Sequence, residues 1–224
     1  MQSTIDQPGD SVLARLRRLH PHRPLTLNEA LWVAERQATR LLQLRRASAD
    51  VPVPTTVVTD LPRITIEHDP DLMATAASGC SDWDYQRRCW IISLNGSEPR
   101  RRQRFTVLHE YKHIIDHGSP RILPTRLWTA SPRPPEEIVA DYFAGCVLVP
   151  KRLLTAAYYD GIQHPADLAQ LFDVSKEAIQ VRLVQVGLTE PQPNQPRPGY
   201  RSHPARRTAH YYRTSERALL EVAA

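Results

Sequence analysis

The chain has 224 residues, 41% of them hydrophobic and 24% charged, with a formal net charge of +5 and a pI near 9.3. These values fit a soluble globular protein with one good-sized core, and the longest apolar run, Tyr142 to Val149, is far too short to span a bilayer. The 3 cysteines, Cys80, Cys89 and Cys146, include no CxxC pair, which argues against both a disulfide scaffold and a cysteine-based zinc site.

Lysine occurs only at Lys112, Lys151 and Lys176, so the basic charge is almost wholly arginine. Such a bias suits an acidic partner or nucleic acid, although arginine on a solvated surface accounts for it equally well. The first 20 residues lack the apolar stretch of a secretory leader, and with a reducing compartment implied by the cysteines the expected location is cytoplasmic.

Residues 1–24 read as a basic N-terminal segment, with a short helix over Ser11 to His20 ended by Pro21 and Pro24. From Thr26 to Arg46 a clearer helix is expected. Leu27, Leu31, Ala34, Ala38, Leu41 and Leu42 form its apolar stripe, and Thr26 is suited to cap it. Val51 to Pro54 breaks that pattern. Arg63 to Glu67 then alternates as a strand, and Cys89 to Leu94 reads as a second, more buried strand. The intervening Ser78 to Arg88 is rich in turn residues, so it is expected to be a connection between two strands of a small sheet.

Asn95-Gly96-Ser97 ends the second strand, and Pro99 suits the first turn of a helix. That helix contains His109, Glu110 and His113 in the spacing HExxH. On an α-helix the two histidines stand one turn apart on one face, where both imidazoles reach a single zinc ion, while Glu110 is placed to move a proton to and from water. Phe105, Leu108, Tyr111 and Ile115 recur at helical steps around the motif, as on a packed helix. Arg100, Arg101, Arg102 and Arg104 crowd the start of this helix, which the macrodipole disfavours. They are read as a solvated run, or as contacts to an acidic partner or to a carboxylate inside the fold.

His117 drifts around the helix and is not expected to join the same ion. The proline-rich segment from Gly118 to Pro135 is long enough to border a cleft, with Trp128 as a hydrophobic anchor or a substrate contact. A further helix runs from Glu136 to Val149. Here Glu137 and Asp141 stand four residues apart on one face, which suits a metal ligand and a carboxylate that orients a ligand histidine; Glu136 is the nearest rival and does not share that face. Tyr142, Tyr158 and Tyr159 are candidates for steadying an oxyanion, although packing is their commoner use, and His164 is equally ambiguous.

Ala166 to Leu188 has the outline of helix, turn, helix, with Ser175 as an N-cap. Its second helix offers only Lys176, Gln180, Arg182 and Gln185 as outward polar groups, opposed by Glu177, so a structural role is favoured over reading DNA. After Leu188 the chain becomes proline- and arginine-rich, and residues 190–224 are expected to be disordered.

The stretches RQRFTVLHEYKH and EEIVADYFAGCVLVP resemble the ImmA/IrrE family of zinc metallopeptidases, whose members carry a related RxRFTxAHELGH helix and a later ExxAxxFAxxLLMP helix. LAQLFDVSKEAIQVRLVQVGL is similar to the family's closing segment, so the likeness runs from about Leu25 to Leu188. It implies an α+β, zincin-like peptidase domain over residues 25–189, with a small sheet, the HExxH helix and a helix-turn-helix-like closing part at 151–189. It further implies Zn2+ held by His109, His113 and Glu137, with Glu110 as general base and Asp141 behind a ligand. The implied substrate is a protein, in particular a helix-turn-helix transcriptional repressor, in a stress-response or mobile-element circuit. A regulatory protein that binds a transcription factor or DNA without cleavage is the alternative. Two departures from the family pattern are Lys112, where a glycine is common, and Leu148-Val149-Pro150 in place of Leu-Met-Pro; Lys112 is expected to put a cation near the site.

Overall fold

The computed structural model describes residues 11–70, 72, 77–120, 122 and 133–190. The expectations for the first ten residues, for Trp128 and most of its loop, and for the chain beyond Glu190 therefore lie outside the described residues. No helix among the described residues is long and apolar enough to cross a membrane.

Helix α1 spans Val12–Arg17 and starts at Ser11, whose side chain accepts a hydrogen bond from the Ala14 amide at 3.2 Å. Helix α2 spans Leu27–Leu44. Thr26 and Glu29 form a reciprocal capping box at its start: the Thr26 hydroxyl accepts from the Glu29 amide, and the Glu29 carboxylate accepts from the Thr26 amide at 2.8 Å. Its inward stripe is Ala30, Val33, Ala34, Ala38, Leu41 and Leu42, all buried. A one-turn helix α3, Thr56–Thr59, leads into the sheet.

Strands β1 (Ile64–His68), β2 (Gly79–Asp84) and β3 (Cys89–Leu94) form a three-stranded sheet in the order β1-β3-β2. β1 pairs parallel to the central β3, and β2 pairs antiparallel to it at one edge. The sequence reading of Ser78 to Arg88 is corrected here, because its first part is a strand and only Tyr85 to Arg88 turns. The register sets Ile64 and Ile66 of β1 and Gly79, Ser81 and Trp83 of β2 beside Trp90, Ile92 and Leu94 of β3. Since strand side chains alternate between faces, these residues share one face, and the burial of Ile92 and Leu94 identifies it as the core face.

Helix α4, Arg100–Asp116, packs against β2 and β3, and helix α5, Pro135–Leu148, packs alongside both α4 and α2. Leu108, Ile114 and Ile115 of α4 meet Phe143, Ala144 and Val147 of α5 in one buried cluster. Complete burial of a Leu, Ile or Phe side chain stabilises by about 1.5–3 kcal/mol, so this seam is a major source of the fold's stability. Arg17 donates to the carbonyls of Ile114 at 2.7 Å and Ile115 at 3.2 Å, in the last turn of the helix, where the Ile114 carbonyl also accepts from the His117 amide.

Helices α6 (Lys151–Tyr159), α7 (Pro165–Leu171) and α8 (Lys176–Val186) close the described chain. His164 caps α7, its ring Nδ1 accepting from the Ala166 amide at 3.3 Å, and Ser175 caps α8. Asp173, in the turn between them, pairs with both Arg101 and Arg104 at the start of α4. Arg104 also donates to the Val53 carbonyl at 2.7 Å. The arginine run is therefore met partly by a carboxylate within the fold.

Arg182 was expected to face outward, and the structure corrects this. It is 2% exposed, donates to the Val149 carbonyl at 3.0 Å and lies 3.5 Å from Glu35. A guanidinium offers several donors in a fixed fork, so it can serve a helix end and a carboxylate together in the interior.

Candidate metal centre

His109 and His113 lie on α4, and Glu137 lies in the first turn of α5. The packing of α4 against α5 brings the three together. His109 Nε2 is 3.1 Å from His113 Nε2 and 3.4 Å from Glu137 Oε2, and His113 Nε2 is 3.3 Å from Glu137 Oε1. Zinc holding nitrogen and oxygen atoms at about 2.0–2.2 Å in a tetrahedral array spaces them about 3.3–3.5 Å apart. The donor atoms of the three residues come close to that spacing, Glu137 meeting each histidine with a different oxygen, and these residues form the one group of His, Cys, Asp or Glu among the described residues suited to hold a metal.

Asp141 stands one turn after Glu137 and accepts from His109 Nδ1 at 2.8 Å. A proton fixed on Nδ1 leaves the Nε2 lone pair turned toward His113 and Glu137, which is the tautomer a metal requires. Asp141 is itself held by Arg133, at 2.7 Å from its other oxygen. Glu136, by contrast, is exposed and lines a separate small cavity with His20, Lys112 and Asp116.

The electrostatics suit a cation. Burial alone would lower the pKa of His109, but hydrogen bonds to Asp141 and Glu137 outweigh it and raise the value to about 10. Burial acts on Glu137 in the opposite sense to its histidine partners, and the histidines prevail, holding its carboxyl well below the usual carboxylate range. Asp141 is lowered likewise, burial being overcome by His109 and Arg133. Without a metal, the cluster keeps a positive charge as a proton on imidazole.

Glu110 is 5% exposed and extends from α4 toward β2. Its Oε2 accepts from the Ser81 hydroxyl at 3.0 Å. Ser81 has no counterpart in the sequence reading, because Gly79-Cys80-Ser81-Asp82 looks like a turn by composition. The one signal available was the alternation Gly79, Ser81, Trp83 ahead of the Tyr85 to Arg88 turn, which is the mark of a hairpin arm.

A family model described as the IrrE N-terminal-like domain, of a peptidase family, matches residues 68–184, more than half of the chain. The chain belongs to this family. His109, Glu110, His113, Glu137, Asp141 and Ser81 all fall inside the stretch that matches the IrrE N-terminal-like domain, whereas α1, α2 and α3 precede it. No curated protein matches the chain.

The remaining residues singled out from sequence lie apart from this cluster or serve the framework. Lys112 does not put a free cation beside the histidines. It is 1% exposed and its Nζ donates to both oxygens of Asp116, at 2.6 and 2.7 Å. Tyr142 donates to Glu35 at 3.0 Å, Tyr159 is exposed at the end of α6, and the His117 ring packs edge-on against Trp90 with centroids 5.0 Å apart.

Proposed function

We propose that this member of the IrrE N-terminal-like family is a zinc-dependent endopeptidase in which His109, His113 and Glu137 hold the metal and Glu110 is the general base. The observation that carries this reading is the set of three side chains whose ring nitrogens and carboxylate oxygens lie 3.1–3.4 Å apart, with an acid beside the first histidine on the same helix. Zinc bound there supplies Lewis acidity, polarising a peptide carbonyl and lowering the pKa of water to about 7. Glu110, nearly buried, takes the proton from the attacking water on its carboxylate and gives it to the departing amine. His109 and His113 bind through Nε2, and Asp141 keeps the His109 proton on Nδ1 throughout. Arg133 holds Asp141 through the oxygen that does not meet His109.

The edge strand β2 bears on the substrate. It has one ladder partner among the described residues, β3, and Ser81 within it touches Glu110. An extended segment laid along such an edge gains backbone hydrogen bonds, whereas a folded domain does not. The expected substrate is accordingly a mobile linker in one protein, a helix-turn-helix transcriptional repressor, cut between its DNA-binding and oligomerising parts in a cytoplasmic stress-response or mobile-element circuit. The buried Arg182 and the Asp173 turn docked on α4 favour a structural role for α7 and α8 over a DNA-reading one.

The test is metal analysis of the purified protein beside its Glu110→Gln and His113→Ala forms, followed by incubation with candidate repressors and mass measurement of the products. Wild type and Glu110→Gln should both hold zinc, His113→Ala should lose it, and only wild type should cut. Equal zinc in wild type and His113→Ala would sink the metal assignment. Derepression that persists undiminished in Glu110→Gln would replace cleavage with regulatory binding, and general proteolysis would remove the specific substrate.

A further inference from the structure

We infer that Ser81 is the positioning residue for Glu110: its hydroxyl fixes the carboxylate so that one oxygen is presented for proton transfer. This rests on the reading of His109, His113 and Glu137 as the metal ligands and Glu110 as the base.

Glu110 is a nearly buried carboxylate on a core helix, and a freely rotating carboxylate there would spread its two oxygens over many directions. The Ser81 hydroxyl donates to Oε2 at 3.0 Å, which restricts rotation about the last side-chain bond. Hydrogen bonds to an ionised acceptor are the stronger class, and general-base catalysis demands placement within hydrogen-bond reach of the proton to be moved.

The strand is built to bring Ser81 to this distance. Gly79, two residues earlier on the same face, lies so close to α4 that an added Cβ would fall 2.5 Å from the Thr106 methyl and 2.8 Å from the Ser93 carbonyl oxygen. The same Cβ would lie 3.6 Å from Cγ of Glu110, so the glycine sets the strand directly against the base. Ser81 pairs with Ile92 of the central strand, which is fully buried and fixes the register. Small residues at both positions let an edge strand lie flush with the helix, and the serine adds the donor that a second glycine or an alanine would lack.

The experiment loads full-length wild type, Ser81→Ala and Ser81→Thr with Co2+ and titrates each with acetohydroxamate, followed by visible absorption. Acetohydroxamate enters as acetohydroxamic acid, whose N–OH proton passes to the Glu110 carboxylate as the anion chelates, so its affinity reports a base held in place beside the metal. All three proteins should take up Co2+ equally, because no metal ligand is altered. Ser81→Ala should bind acetohydroxamate about tenfold more weakly, the loss of one hydrogen bond to a charged group, and Ser81→Thr should recover most of that affinity because it keeps the hydroxyl and suits a strand. Equal acetohydroxamate affinity in wild type and Ser81→Ala overturns the assignment, and so does a Ser81→Thr form as weak as Ser81→Ala, which would mark a packing role. A wild type that takes up no Co2+ overturns instead the metal reading on which the inference stands.

Discussion

Replacement of Asp141 by Asn tests the orienting chain Arg133, Asp141, His109, because the substitution keeps shape while removing one acceptor. Asp141 serves two donors, His109 Nδ1 at 2.8 Å and Arg133 at 2.7 Å, one with each oxygen. An asparagine has a single oxygen for the two. If that oxygen turns to Arg133, the amide NH2 faces Nδ1 and drives the imidazole proton to Nε2, the atom needed by the metal. A hydrogen bond to a charged group contributes about 1.5–3 kcal/mol, and loss of such a partner behind a ligand histidine weakens metal binding roughly 10–100-fold. Asp141→Asn should therefore lose zinc affinity in about that range and resemble Asp141→Ala. Adding Arg133→Met removes the rival donor and should recover several-fold of the loss, through the freed asparagine oxygen. The assay is zinc competition against a chromophoric chelator at fixed pH. Affinity in Asp141→Asn within about twofold of wild type would refute the role of this carboxylate, since that is well below the loss expected for the bond, and no recovery in the double variant would refute the tautomer argument.

Other expectations follow from the same geometry. Glu137→Ala should weaken zinc binding far more than Glu136→Ala in that competition assay, because only Glu137 stands 3.3–3.4 Å from the histidine nitrogens; comparable losses would show that the wrong carboxylate has been assigned. Zinc must displace a proton from His109, whose metal-free pKa is raised to about 10, so apparent affinity should climb about tenfold per pH unit from pH 7 toward 9. A flat profile over that window would contradict the raised value. In the metal-free protein the same shift runs the other way for stability: His109 contributes fully below its unfolded pKa near 6.5 and less as pH rises through about 10, a trend that chemical denaturation at pH 7 and pH 10 should register. Asp116→Ala should destabilise by about 3 kcal/mol by leaving the Lys112 ammonium buried and unpaired, while Lys112→Met with Asp116→Ala should recover much of this. Urea melts that rank the double variant below Asp116→Ala would exclude that explanation.

The parts of the molecule that were legible in the sequence share a feature: their signal is local. The Thr26 cap directly precedes its helix, the two histidines of HExxH lie within one turn, and Glu137 and Asp141 lie within one turn of each other. What escaped depended on partners far along the chain. Strand β2 has the composition of a turn, and it is a strand because β3 supplies its ladder and α4 needs small residues against it. Lys112 and Arg182 look like surface cations by residue type. Lys112 had a visible partner at the i+4 position in Asp116, whereas the partners of Arg182, the Val149 carbonyl and Glu35, lie 33 and 147 residues away and could not be seen from spacing.

The arginine excess takes on a different meaning once those partners are known. Arg17 closes the C-terminal end of α4, while Arg101 and Arg104 fasten its N-terminal end to Asp173. Arg104 reaches Val53 as well, Arg133 holds Asp141, and Arg182 joins α8 to the end of α5. Five arginines thus brace the two helices that carry the histidines and Glu137, from both ends and from behind. A planar fork of donors suits this work better than lysine, because one guanidinium can satisfy a helix carbonyl and a carboxylate at once. The donor cluster requires that α4 and α5 keep their relative position to a few tenths of an ångström, since the separation of His109 and His113 from Glu137 depends on it. These five arginines therefore serve the packing that holds the candidate metal ligands together, and their replacement by lysine, which leaves the net charge unchanged, should loosen zinc binding in the competition assay.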